Sequence, residues 1–206
     1  MRIGIDFDNT IACYDGVFHA AALERQLIPS GIATDKTSVR NHLRENGRDG
    51  DFTELQGYVY GSRMNLVSLY SGAANALRQM AAAGHTLFIV SHKTKSPIAG
   101  PAYDLHAAAR EFLSARCIVG GEFGLVRAEN VFFEPTKEQK VVRILELRCD
   151  VFIDDLPEIL AMEGFPDGTR SILFDPDDQY PSGAWRRRSF ERYRSWREIG
   201  DALLSR

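Results

Sequence analysis

A chain of 206 residues with 25 Lys+Arg against 28 Asp+Glu carries a formal charge of −3, too even a balance for a protein built to coat nucleic acid. Apolar residues at 44% and charged residues at 26% match an average globular domain and exclude wholesale disorder, and no apolar run nears the ~20 residues of a membrane-spanning helix. A chain this long buries roughly 70% of the surface it exposes when unfolded, so one domain, or one domain with an insertion, can fold without a disulfide or metal.

Ile3-Gly4-Ile5-Asp6-Phe7 reads as a first strand, and its acid stands where a signal peptide would have its apolar core. Cys13, Cys117 and Cys149 are scattered and give neither a disulfide framework nor a metal pair. A soluble, reducing, cytoplasmic setting is the expectation. Residues 14–69 then read as an insertion with helical patterns at Val17–Leu27, Lys36–Glu45 and Asp51–Tyr60, broken by Pro29, Gly31, Gly47 and Gly50. A helix over Ser71–Ala83 stops at Gly84, and Thr86–Val90 is the second strand. Tyr103–Ala115 is helical, Asn130–Phe133 is a strand, and Lys137–Arg148 is a helix opened by a Thr136/Gln139 capping box. Val151–Ile153 and Ser171–Phe174 are the last strands. The stretch from Asp175 is Pro/Gly/Asp-rich, and a basic run and a helix over Trp196–Leu204 follow it. Near-continuous apolar strands alternating with helices predict an α/β fold: a parallel, Rossmann-like sheet with helices on both faces and right-handed crossovers. The first crossover is too long for a single helix, so 1–13 and 70–206 are expected to form the core domain and 14–69 a small inserted helical domain.

Two strands run into acid. The first leads into Asp6-Phe7-Asp8-Asn9-Thr10 and the fourth into Asp154-Asp155. Functional groups of an open parallel sheet gather at the carboxyl ends of its strands, and Asp6 and Asp8, two apart in extended backbone, point the same way. If those strands are neighbours, three or four carboxylates converge. Two such charges ~4 Å apart repel by ~4 kcal/mol at an effective dielectric of 20, so a cation or protons must relieve them. All the donors are oxygen, which favours a hard ion, and Mg²⁺ suits a site with few carboxylates that stays open to water and phosphate. Ser91 closes the second strand, where its hydroxyl and nearby amides suit an anion. Lys140 stands in the first turn of a helix, against the helix dipole, as a residue aimed at phosphate would. Lys137 is its rival.

With these positions in order, the chain resembles the haloacid dehalogenase-like superfamily in its phosphatase branch. Ile5-Asp6-Phe7-Asp8-Asn9-Thr10 resembles the first motif, Ser91 after Leu87-Phe88-Ile89-Val90 the second, Lys140 the third, and Val151-Phe152-Ile153-Asp154-Asp155 the fourth. The resemblance implies that Asp6 is the nucleophile and a Mg²⁺ ligand and that Asp8 is the general acid and base, its main-chain carbonyl also on the metal. It implies that Asp154 is the other protein ligand and that Asp155 supports the metal shell. Ser91 and Lys140 would hold the phosphoryl oxygens, and Thr10 would fix the loop. His92 would contribute a backbone amide, and with Lys93 would line the entrance. Dehalogenating members lack an acid at the place of Asp8, because halide leaves without a proton.

The resemblance further implies that the insertion is a cap over a small phosphorylated metabolite, with a sugar phosphate and a nucleotide both fitting. Candidate readers of the substrate are His19, Arg25, Arg40, His42, Arg44, Arg48, Tyr58 and above all Arg63, near the expected hinge. Cys13 is expected to be a core thiol. The run Arg186, Arg187, Arg188, Arg192, Arg194 and Arg197 is a solvated or salt-bridged surface, with an anionic partner, including nucleic acid, as the alternative. No membrane partner is expected. The chain is thus expected to be a Mg²⁺-dependent phosphomonoester hydrolase, with a non-catalytic phosphate- or phosphosugar-binding module and a phosphotransferase to a sugar hydroxyl as alternatives.

Overall fold

The computed structural model describes residues 1–120, 124–180 and 189–205. Six strands form one sheet: β1 (Arg2–Ile5), β4 (Thr86–His92), β5 (Val131–Glu134), β6 (Val151–Asp154), β7 (Arg170–Phe174) and β8 (Glu191–Tyr193). Their order is β5-β4-β1-β6-β7-β8, and the neighbouring pairs run parallel. Two short strands, β2 (Ala12–Cys13) and β3 (Ser68–Leu69), form a second, two-stranded sheet. The parallel α/β fold is as the strand and helix alternation predicts.

The chain steps from β1 to β4 to β5 in one direction, then returns to β6 and steps through β7 to β8 in the other. With right-handed crossovers, this reversal sends helices to opposite faces. Helix α6 (Lys137–Glu146) and the short α7 (Pro157–Leu160) cover one face. There Val141, Ile144 and Leu160 close over Phe88, Val90, Phe152 and Leu173. Helix α4 (Ala73–Ala82) packs with α8 (Trp196–Leu204) and also contacts β4. The reversal places a switch point beside β1, between β4 and β6, and in open α/β sheets functional groups gather at the carboxyl ends of the strands at such a point.

In the middle of β1, Gly4 stands opposite Phe152 of β6. A Cβ there would lie 2.5 Å from Phe152 Cδ2 and 2.9 Å from Cys149 Sγ, so the absent side chain is what admits the Phe152 ring. Strand β8 was not legible from its sequence. Glu-Arg-Tyr has no apolar alternation, and it holds the sheet edge through a bidentate pair of Glu191 with Arg170. Thr136 caps α6 by accepting the Gln139 amide at 3.1 Å. The reciprocal capping box is complete at α8, between Ser195 and Glu198.

The chain divides into two compact units. One comprises Met1–Ala12, Leu69–Lys93 and Arg116–Arg206, and contains the six-stranded sheet. The other comprises Cys13–Ser68 and Thr94–Ala115. It holds α1 (Val17–Glu24), α2 (Lys36–Glu45), α3 (Asp49–Ser62) and α5 (Leu105–Ala115). The expected division left 94–115 with the core. The second unit takes that segment because Gly57 and Gly61, one turn apart on α3, make room for it. A Cβ at Gly57 would come within 2.7 Å of Pro97 Cβ, and one at Gly61 would collide with the Tyr103 ring. Tyr14, Phe18, Phe52 and Tyr60 form the aromatic centre of this unit.

Candidate active site

The acidic residues lie at the switch point because β1 and β6 are hydrogen-bonded neighbours. Their pairing extends past Ile5↔Ile153, since the Asp6 amide donates to the Ile153 carbonyl at 2.9 Å. Asp6 and Asp154 therefore leave adjacent strands at the same level, and both are buried. Asp6, Asp154 and Asp155 each offer a carboxylate oxygen within 4.8 Å of the others.

Lys140 reaches into this cluster. Its Nζ lies 2.5 Å from Asp6 Oδ1 and 2.6 Å from Asp154 Oδ2. It is 1% exposed, and its ammonium lies 5.5 Å from the centre of the Phe152 ring. Burial works against that charge, but Asp154 and Asp6 outweigh it and hold the ammonium above its ordinary pKa. Lys137 points elsewhere and pairs with Glu158, so Lys140 alone of the two rivals joins the acidic cluster.

One ammonium does not balance three carboxylates. Burial pushes the Asp6 carboxyl up to about 7; Lys140 pulls it down, while Asp154 and Asp8 add to the rise. Asp155 is raised well above the usual carboxylate range, again by burial first and then by Asp154 and Asp6. Asp6 and Asp155 resist ionising beside Asp154, and a set of oxygen donors of this kind fits a hard divalent cation.

The loop after β1 is held from several sides. Asn9 adopts a positive φ of 55°, and the Ile11 and Ala12 amides both donate to the Phe7 carbonyl. The Thr10 hydroxyl donates to Asp155 Oδ1 at 3.2 Å, while its carbonyl accepts from Trp196 Nε1 at 2.9 Å. Asp154 Oδ1 accepts the Leu156 amide at 2.9 Å, which orients the carboxylate. Ser91 is buried at the carboxyl end of β4, opposite Phe133. The His92 ring is paired through Nε2 with the Pro135 carbonyl at 3.2 Å, and burial lowers its pKa.

Sequence reasoning missed the partner of Asp8. Lys93 Nζ lies 2.8 Å and 3.0 Å from its two carboxylate oxygens. The available signal was the period of two: Lys93 stands two residues after Ser91, as Asp8 stands two after Asp6.

Most of the expected substrate readers are engaged within the second unit. Arg63 pairs with Glu24, whose carboxylate also accepts from Tyr58 at 3.0 Å. Arg25 pairs with Glu54, Arg44 with Asp49 and Arg48 with Asp51. His19 Nε2 is buried and has no hydrogen-bond partner among the described residues. Burial raises the pKa of the Cys13 thiol. Of the basic run, Arg186, Arg187 and Arg188 lie outside the described residues. Arg192 and Arg194 pair with Asp178 and Arg197 with Asp201. Among the described residues, no helix is long and apolar enough to cross a membrane.

No protein-family profile and no curated protein matches the chain. Solved structures do. A HAD family hydrolase from Deinococcus radiodurans R1, determined with bound phosphate and sodium, is 18% identical at a TM-score of 0.60, over 99% of this chain and 95% of that one. A predicted phosphatase from Clostridium acetobutylicum is 14% identical at 0.59, over 100% and 98%. A dehalogenase is 14% identical at 0.59, over 100% and 97%. The chain therefore has the haloacid dehalogenase-like fold. Phosphatase and dehalogenase both stand among its neighbours, so the fold alone does not set the chemistry.

Proposed function

We propose that the chain is a Mg²⁺-dependent phosphomonoester hydrolase that works through an aspartyl-phosphate on Asp6. The observation that carries this is the cluster itself: Asp6 shares Lys140 with Asp154, and an acid, Asp8, follows two residues on. A dehalogenase has no use for that acid, and a binding module has none either.

Asp6, Asp154 and the main-chain carbonyl of Asp8 would hold the metal, with Asp155 supporting them from its bond to Thr10. Magnesium would supply charge neutralisation at the phosphoryl oxygens. Lys140 and Ser91 add a cation and a hydroxyl for the same group, since phosphoryl transfer depends mainly on positioning and electrostatics. A carboxylate oxygen of Asp6 attacks phosphorus. The new Asp6–phosphorus bond forms as the bond to the leaving oxygen breaks, and Asp8 gives that oxygen its proton. In the second displacement water attacks phosphorus, Asp8 takes the proton back, and Asp6 leaves with its bonding pair as phosphate is released.

The helical insertion between the first and second motifs supports a small phosphorylated metabolite as the substrate. The test is hydrolysis of p-nitrophenyl phosphate with Mg²⁺ or with EDTA, by wild type and Asp6→Asn. Turnover confined to the Mg²⁺-loaded wild type supports the assignment, and equal rates in all four reactions refute it. A screen of phosphorylated metabolites follows, with a sugar acceptor present. Phosphate released in equal amount to the alcohol marks hydrolysis, and a shortfall marks transfer.

A further inference from the structure

Lys93 bears on this same site, and its role rests on the phosphomonoesterase assignment. The strand β4 ends at His92, but its ladder continues one step, because the Lys93 amide donates to the Glu134 carbonyl at 2.8 Å. Lys93 is thus still in extended register and emerges on the same side as Ser91. Its side chain is 3% exposed, against 19% for Asp8. The Phe7 ring, itself fully buried and edge-on to Phe133, lies 5.4 Å from the Lys93 ammonium.

These features divide the work between the two residues. Asp8 is open enough to meet a substrate, whereas Lys93 is covered. A bond to one carboxylate oxygen would leave the group free to turn about it. Bonds to both, at 2.8 Å and 3.0 Å, fix its plane. Lys140 is committed to Asp6 and Asp154, so the site contains two separate cations, each set against a different working carboxylate. We propose that Lys93 is the positioning residue of Asp8: it holds the carboxylate in the attitude from which it exchanges a proton with the leaving oxygen and with water.

Proton transfer depends steeply on such alignment, and a misplacement of about 1 Å costs roughly 100-fold in rate. The experiment is a double-mutant cycle on p-nitrophenyl phosphate hydrolysis with Mg²⁺, using Lys93→Met, Lys93→Arg, Asp8→Asn and the two double variants. Lys93→Met should lower kcat by roughly 100-fold with KM held, and Lys93→Arg should recover part of the loss. In the Asp8→Asn background neither change should matter further, because the group being positioned no longer transfers a proton. A loss of the same size in that background overturns the proposal. So does a raised KM at unchanged kcat, which would make Lys93 a phosphate-binding group. If Lys93→Met does not fold, as a circular dichroism melt would show, Lys93→Arg with and without Asp8→Asn decides by the same non-additivity. A wild type inactive on every phosphate ester removes the enzymatic assignment and this role together, whereas an active wild type with additive losses removes only the role of Lys93.

Discussion

The Lys140 ammonium lies 2.6 Å from the carboxylate of Asp154, the residue fourteen places further along the chain. The helix α6 and the strand β6 connect them, so this contact ties the first turn of a helix to the end of the next strand. Lys140 is also the cation that makes the burial of Asp6 and Asp154 tolerable.

Removing Lys140 should therefore destabilise the fold as well as the chemistry. Lys140→Met leaves two buried carboxylates without their shared partner, and breaking a buried pair costs about 3–5 kcal/mol. Urea unfolding in EDTA should show a loss of that size. Saturating Mg²⁺ should restore part of it, since an ion that binds only the folded state stabilises that state.

In the metal-free protein the contribution of Asp6 to stability should fall as pH rises through the mildly acidic range, against the opposite contributions of His85 and His92, whose pKa values burial lowers. Asp6 is raised from 3.8 to about 7 in the folded chain. Between those values the folded state keeps a proton that the unfolded state has lost, so this contribution falls with rising pH. Asp155 acts in the same direction. The exposed carboxylates of Asp35, Asp104 and Asp178 are shifted the other way, and their contribution is lost only at more acidic pH. Urea midpoints of wild type and Asp6→Asn in EDTA, at about pH 5 and about pH 7.5, isolate the effect. Wild type should lose ground to the variant at the higher pH, and Mg²⁺ should narrow the gap.

Thr10 links Asp155 to the core through Trp196. Thr10→Val removes the hydroxyl from Asp155 and should weaken Mg²⁺ binding by roughly 10–100-fold, as loss of an outer-shell partner does. Trp196→Phe instead leaves the buried Thr10 carbonyl without its donor, at a cost of about 1–3 kcal/mol. Calorimetric titration and thermal melts separate the two effects.

Gly4→Ala tests how the site is carried by the sheet. The added Cβ meets Phe152 and Cys149, and overpacking of this kind costs about 1–3 kcal/mol. Because Gly4 lies two residues before Asp6, activity should fall along with the melting temperature, and a melt unchanged from wild type would count against that packing.

The sequence carried the sheet and the acidic cluster for one physical reason: parallel strands buried on both faces leave near-continuous apolar runs, and acid at their ends stands out. Strands β4 and β6, the helix starts at Lys36, Lys137 and Trp196, and the convergence of Asp6 with Asp154 were legible in this way. The edge strand β8 was not, since three charged or polar-tipped residues at a sheet edge carry no alternation. The membership of 94–115 was also hidden. It depends on the close approach of Pro97 and Tyr103 to Gly57 and Gly61, which no local pattern announces. The Lys93–Asp8 pair depends on a strand register that only the assembled sheet defines. The pairing of Arg63 with Glu24 depends likewise on how α1 and α3 pack.

The most direct measurement is a calorimetric titration of metal-free wild type and Asp154→Asn with MgCl₂ at neutral pH. One ion per chain in the wild type, with binding abolished or severely weakened in the variant, is the predicted result. A wild type that takes up no magnesium, or a variant that binds it equally well, would contradict a cation centre built from Asp6, Asp154 and the Asp8 carbonyl with Asp155 in support.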